Sequence, residues 1–138
     1  MYYLRLGEHQ QAIEAERKVL AIEPDNDEAL SVLGQALAGQ GDNESAQQAF
    51  KRAVEVKPEA PGTWHNLGHF YLETGRYNDA VQNLAKALQL QPDLPDTLHS
   101  LGLAYSKLGN TAAALAQCEL LSVLDSAKAA DLRDQISV

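Results

Sequence analysis

The sequence predicts an all-α protein built as a tandem array of antiparallel helix pairs. Two sets of markers carry that prediction. A shift of 34 residues superposes Gly34, Gly68 and Gly102, and in a second register Gly7, Gly41, Gly75 and Gly109. The same shift superposes Ala12, Ala46, Ala80 and Ala114, and then Pro24, Pro58 and Pro92. Between these markers the apolar residues fall at helical period, and no strand alternation occurs. A fixed period of this size is the signature of a repeat architecture. A single helix pair cannot bury its own apolar face, so neighbouring pairs must stack.

The elements follow in order within one expected domain, residues 1–138. Residues 1–26 read as a partial unit: the tail of a helix, a turn at Gly7, then a helix with Ala12, Ile13, Val19, Leu20 and Ile22 on one face. Pro24 ends it. Asp25 is placed to cap the next helix, with Glu28 completing a capping box. Residues 27–60 form the first complete unit. Leu30, Leu33, Gly34 and Leu37 lie on its first helix, Gly41 supplies a left-handed turn, and Asp42 or Asn43 caps the second. That second helix buries Ala46, Ala49, Phe50, Ala53 and Val54. Residues 61–94 repeat the scheme with Trp64, Leu67, Gly68 and Tyr71, the Gly75 turn, then Ala80, Leu84, Ala87 and Leu88. Residues 95–128 repeat it with Leu98, Leu101, Gly102 and Tyr105, the Gly109 turn, then Ala114, Leu115, Cys118 and Leu121. Ser126 stands where a proline is due and is a good N-cap. Residues 126–138 then read as a closing helix, apolar at Ala129, Leu132 and Ile136 and polar elsewhere, which is what a terminal cap requires.

Glycine in a helix interior costs about 1 kcal/mol against alanine. Its recurrence at Gly34, Gly68 and Gly102 implies another helix passing close by, with Ala46, Ala80 and Ala114 on the far side of the same crossing.

Bulk composition narrows the function. The chain has 138 residues, 45% of them hydrophobic, and a formal charge of -8 with pI near 4.8. So acidic a chain repels phosphate, which argues against nucleic acid. No apolar run reaches a membrane span, and no secretory signal opens the chain. A cytoplasmic protein is expected, with a longer exported protein as the alternative. The single Cys118 excludes an internal disulfide. No catalytic triad order, P-loop, dinucleotide-binding glycine pattern or Cys/His metal motif occurs, so no enzyme and no cofactor are expected.

Trp64-x2-Leu67-Gly68-x2-Tyr71, then Ala80, then Pro92, resembles the tetratricopeptide repeat (TPR) pattern. The resemblance covers nearly the whole chain, as about three and a half repeats and a capping helix. It departs at Glu16, Leu84 and Cys118, which occupy the aromatic slot of Phe50, and at Leu121, which replaces a small residue. It implies a right-handed α-solenoid, the TPR superhelix, whose first helices line a concave groove that binds a peptide or extended protein segment. By that analogy the groove residues are Arg5, Ser31, Gln35, His65, Asn66, His69, Glu73, His99, Leu103 and Lys107, with Ala38, Gly39, Leu72 and Ser106 beside them. Only Asn66 matches the Lys/Asn/Arg set with which some relatives clamp a terminal carboxylate, and Val32 and Ser100 interrupt an asparagine ladder.

Two further readings stay open. His65 and His69 share a helix face at i, i+4, and His99 is the repeat equivalent of His65. They serve either as a polar peptide-binding surface or as a metal or pH-sensing site. Separately, the truncated first unit leaves Met1, Tyr2, Leu4 and Leu6 at an edge through which repeats could stack end to end as a self-assembling scaffold. Trp64, Tyr71, Tyr105 and Phe50 are expected in the core, and Cys118 is expected to be an inert buried thiol.

Overall fold

In the computed structural model the backbone is described for residues 2–136 and the side chains for residues 7–136. The described residues form eight helices and no strand: α1 (Tyr2–Ile22), α2 (Asp27–Gly39), α3 (Asn43–Val56), α4 (Pro61–Glu73), α5 (Tyr77–Leu90), α6 (Pro95–Lys107), α7 (Thr111–Leu124) and α8 (Ser126–Ile136). The helices belong to two compact units, Met1–Leu67 and Gly68–Val138, with the boundary inside α4.

The turns within each pair are built alike. Gly41, Gly75 and Gly109 take φ of 88°, 83° and 81°, a region closed to most residues with a Cβ. After each, the backbone N–H of Asp42, Arg76 or Asn110 donates to the carbonyl of Leu37, Tyr71 or Tyr105, at 2.9 Å in every case. This is the Schellman closure of a helix C-terminus. Asp42 and Asn110 then cap α3 and α7 by accepting from the amides of Ser45 and Ala113. Arg76 cannot cap α5. Its guanidinium instead bonds Asp79 at 2.8 Å and lies 4.6 Å from the centre of the Tyr71 ring. Asp79 in the first turn offsets a cation at the positive end of a helix.

Gly7 departs from the expected turn. Helix α1 runs straight through it, and among the described residues the positive-φ glycines are the other three. Continuing the helix adds a hydrogen bond per residue. A Cβ at Gly7 would meet nothing within 4 Å. Gly7→Ala is therefore expected to stabilise by about 0.5–1 kcal/mol, read as an increased urea midpoint. A turn at Gly7 would give the opposite sign.

Two capping assignments move by one residue, and a third, open between Asp42 and Asn43, is decided. Asn26, not Asp25, caps α2, accepting from the Ala29 amide at 3.0 Å. Asp25 instead takes Arg52 at 2.7 Å. Asp42 rather than Asn43 caps α3. At the other end Asp125, not Ser126, accepts from the Lys128 amide at 3.0 Å. Asp125 already terminates α7, so one residue closes one helix and opens the next.

The core follows the repeat register. Ala46, Ala80 and Ala114 are each 0% exposed, as the close crossing demands. A Cβ on Gly34 would lie 2.8 Å from the Phe50 ring, and one on Gly68 would lie 2.6 Å from Leu84 Cγ. The aromatic slot thus covers the helix glycine within each pair. In the last pair Cys118 is too small to do so, and Leu132 of α8 covers Gly102 at the corresponding 2.6 Å. Leu121, one turn from Cys118, is also fully buried, so bulk lost at one position returns at the other. Leu98, Cys118, Leu121, Ala129, Leu132 and Ile136 close this end as one apolar cluster.

Some expected core residues sit further out. Ile22 is 83% exposed and Leu115 40% exposed. Trp64 and Tyr105 are half-buried, and the indole N–H of Trp64 donates to the Pro58 carbonyl at 2.7 Å. Phe70, passed over in the sequence, is buried instead. Glu16 is half-buried on α1, so its charge in the aromatic slot retains solvent.

Candidate functional site

Within Met1–Leu67, two of the expected groove residues meet. Ser31, buried on α2, and Asn66, on α4, line one open cavity of about 330 Å³. The helix N-termini set its rim, because the chain enters α2 at Asn26 and α4 at Pro61. Asn26, Asp27 and Glu28 lie on one side, and Lys57, Ala60, Gly62 and Thr63 on the other. Thr63 is fixed rather than available: its hydroxyl donates to the Ala60 carbonyl at 2.8 Å while the residue is 4% exposed. Ser31 is itself nearly buried, so what it offers is a small polar surface at the cavity wall. Asn66 is half-buried, and a primary amide supplies both donors and an acceptor. Lys57 brings a cation opposite two carboxylates.

The remaining expected residues are dispersed. Gln35 is exposed on α2 and Lys107 on the last turn of α6. His65 is half-buried. His69 is exposed and pairs with Glu73 one turn on. Leu103 packs against the terminal apolar cluster rather than standing open. The side chain of Arg5 lies outside the described residues, as do those of Met1, Tyr2, Leu4 and Leu6, on which the end-to-end stacking reading rests.

His99 is committed inside its own unit. Its Nε2 lies 2.9 Å from Asp131 Oδ2 on α8, and its side chain is 19% exposed. The Gln135 amide donates to the same carboxylate oxygen at 2.9 Å. Nearby, Lys128 bonds Asp96 at 3.0 Å, and that hydrogen bond raises the Lys128 pKa above its ordinary value. His99 on α6 therefore helps to seat α8. Among the described residues no group of three His, Cys, Asp or Glu side chains is placed to hold a metal ion. The metal reading of His65, His69 and His99 finds no assembled ligand set there.

Two residues were not legible as site neighbours. The His9 ring lies where a Cβ on Gly39 would be, 2.5 Å from it, and Gln40 donates to Gln10 beside it at 3.0 Å. Gly39, expected at the groove, is exposed but has the His9 ring of α1 beside it. Cys118 is buried, and that burial pushes its thiol pKa up, with Arg133 partly opposing. A raised pKa keeps it a protonated, poorly nucleophilic thiol at neutral pH.

One family model, described as TPR repeat, matches residues 68–109, and a second, tetratricopeptide repeat, matches 3–67 and 37–82. The chain belongs to the tetratricopeptide repeat family. Solved structures agree on the fold. A thermophilic TPR protein of Thermus thermophilus superposes with TM-score 0.79 at 27% identity, over 97% of this chain and 74% of that one. MamA does so with TM-score 0.78 at 24% identity, over 95% and 84% of the two chains. PilF of Pseudomonas aeruginosa does so with TM-score 0.82 at 23% identity, over 98% and 70%. No curated protein matches the chain. TPR proteins are generally non-catalytic scaffolds that bind other proteins. Among the described residues no helix is long and apolar enough to cross a membrane.

Proposed function

We propose that this TPR chain is a non-catalytic interaction module that holds a peptide or extended segment of a partner protein against its first helices. The observation that carries the reading is the cavity shared by Ser31 and Asn66. Peptide backbone presents alternating N–H and C=O groups, and the Asn66 amide can serve both. Lys57 on one side and Asp27 and Glu28 on the other provide charges of both signs for flanking side chains.

The test begins with peptides selected for binding to the full chain and mapped to the cavity by photo-crosslinking. Asn66→Ala is expected to weaken such a peptide by about 3- to 10-fold, corresponding to roughly one lost hydrogen-bonding group. Gln48→Ala, at an exposed position on α3 outside the cavity lining, serves as control. Unchanged affinity in Asn66→Ala, measured by titration calorimetry, sinks the reading.

A further inference from the structure

We propose a second docking site, on the solvent face of α7, for an amphipathic partner segment whose apolar anchors are flanked by lysine or arginine. In Gly68–Val138, Ala116, Leu120, Val123 and Leu124 line an open cavity of about 570 Å³ floored by Leu98. Val123 is 86% exposed and Leu120 58% exposed. Clustered large apolar side chains left to water mark an interaction surface.

The repeat itself shows that stacking does not call for these residues. Counting by 34, Leu120 corresponds to Lys18, Arg52 and Lys86. Val123 corresponds to Ala21, Glu55 and Gln89, and Ala116 to Glu14, Gln48 and Gln82. On α3 and α5 these positions are polar, and all are exposed except the half-buried Lys86. A following repeat would therefore leave them open too, since α3 and α5 precede one and still show them to solvent. Leu124 differs, because its equivalents Ile22, Val56 and Leu90 are all apolar. The last pair has thus exchanged a cation, a polar residue and an amide for Leu120, Val123 and Ala116 on one face of a single helix.

Charge selects the occupant. Asp93 and Glu119 line the cavity, and no lysine or arginine does. Loss of the cation at position 120 leaves those carboxylates facing the apolar strip. A second copy would set the same carboxylates against each other in a chain of net charge -8, which disfavours self-pairing. Basic flanks around apolar anchors satisfy both features, as in helix-in-groove recognition. The residues involved are separate from Ser31 and Asn66, so either site can fail without the other.

A displayed library of helical peptides about four turns long is depleted on the Leu120→Lys/Val123→Gln chain, then selected on the wild-type chain. Both substitutions restore residue types found in the sister units at exposed positions, so the variant is expected to keep the wild-type melting temperature. If it does not, Leu120→Lys alone replaces it. Expected are peptides with apolar residues at i, i+3 or i+4 and Lys or Arg flanks, binding the variant at least about tenfold more weakly. Their affinity should fall as salt rises. No enrichment, acidic flanks, or equal binding to the variant would overturn the proposal. So would concentration-dependent sedimentation of the wild-type chain that Leu120→Lys abolishes, which would give the face to a second copy.

Discussion

Leu132→Ala is expected to cost about 3 kcal/mol, the middle of the range for a buried leucine reduced to alanine. For a chain of this size that is a fall of roughly 10 °C in Tm. Leu132 is 0% exposed and sits over Gly102 in the cluster with Leu98, Cys118 and Leu121. In the other pairs Phe50 and Leu84 cover the helix glycine from within the pair. Cys118 cannot, so removing Leu132 opens a cavity that no neighbour in the pair can refill. The polar contacts of α8 are a poor substitute. Asp131 is 62% exposed where it meets His99, and Asp96 is 77% exposed where it meets Lys128. Solvent-exposed pairs of this kind contribute little. Asp131→Asn should accordingly lower stability far less than Leu132→Ala in urea titrations followed by circular dichroism. If the two were equal, electrostatics rather than packing would hold the cap. The raised Lys128 pKa adds a contribution present below the ordinary lysine pKa and lost as pH rises through the raised one. It is thus constant around neutrality.

At Gly68 the expected loss comes from overpacking. A Cβ there would lie 2.6 Å from Leu84 Cγ and 3.1 Å from the Leu84 backbone nitrogen. The first atom moves only if the packed Leu84 changes its χ1, and the second is main chain, so neither gives way cheaply. Overpacking costs about 1–3 kcal/mol and sometimes more, while replacing a helix glycine by alanine returns up to about 1 kcal/mol. Gly68→Ala should therefore be a net loss of about 1–2 kcal/mol, and Gly68→Val a larger one, since it adds two more carbons to the same contact. Gly62 is the internal control. It lies on the same helix, and a Cβ there would meet nothing within 4 Å. Gly62→Ala should gain a few tenths of a kcal/mol to about 1 kcal/mol. Opposite signs on one helix, measured as urea midpoints, would establish close approach as the reason for Gly68. Gly102→Ala should be milder than Gly68→Ala, because the atoms it meets are all in the Leu132 side chain.

The Asn66 test bears on function rather than stability. Asn66 is identifiable in the sequence as a first-helix residue outside the packing register. Its partners in the cavity are less so. Thr63 shares a register with Ala29 and Thr97, and all three are buried. Phe70 shares one with Ala36 and Ala104, again all buried. In both cases the recurrence was present, but the residues alternate between small, polar and aromatic types, which hides a core position from a reading based on hydrophobicity. Lys57 reaches the cavity because α3 ends there, a matter of where the helix stops rather than of any motif.

By itself the sequence determined the helix pairs, the three glycine turns and the interior glycine–alanine crossings. Each is enforced by local chemistry: a φ that excludes a Cβ, or a missing side chain where two backbones meet. Tertiary structure decided the rest. It made α1 continuous through Gly7, where the glycine carries the same mark as its equivalents but does not take their positive φ. It paired His99 with Asp131 of α8, a contact that no motif in the sequence announces. It put Leu132 in the place of an aromatic that Cys118 does not supply. A period records what repeated units share, and it is silent about contacts made at an end, where the neighbour differs from the unit it replaces.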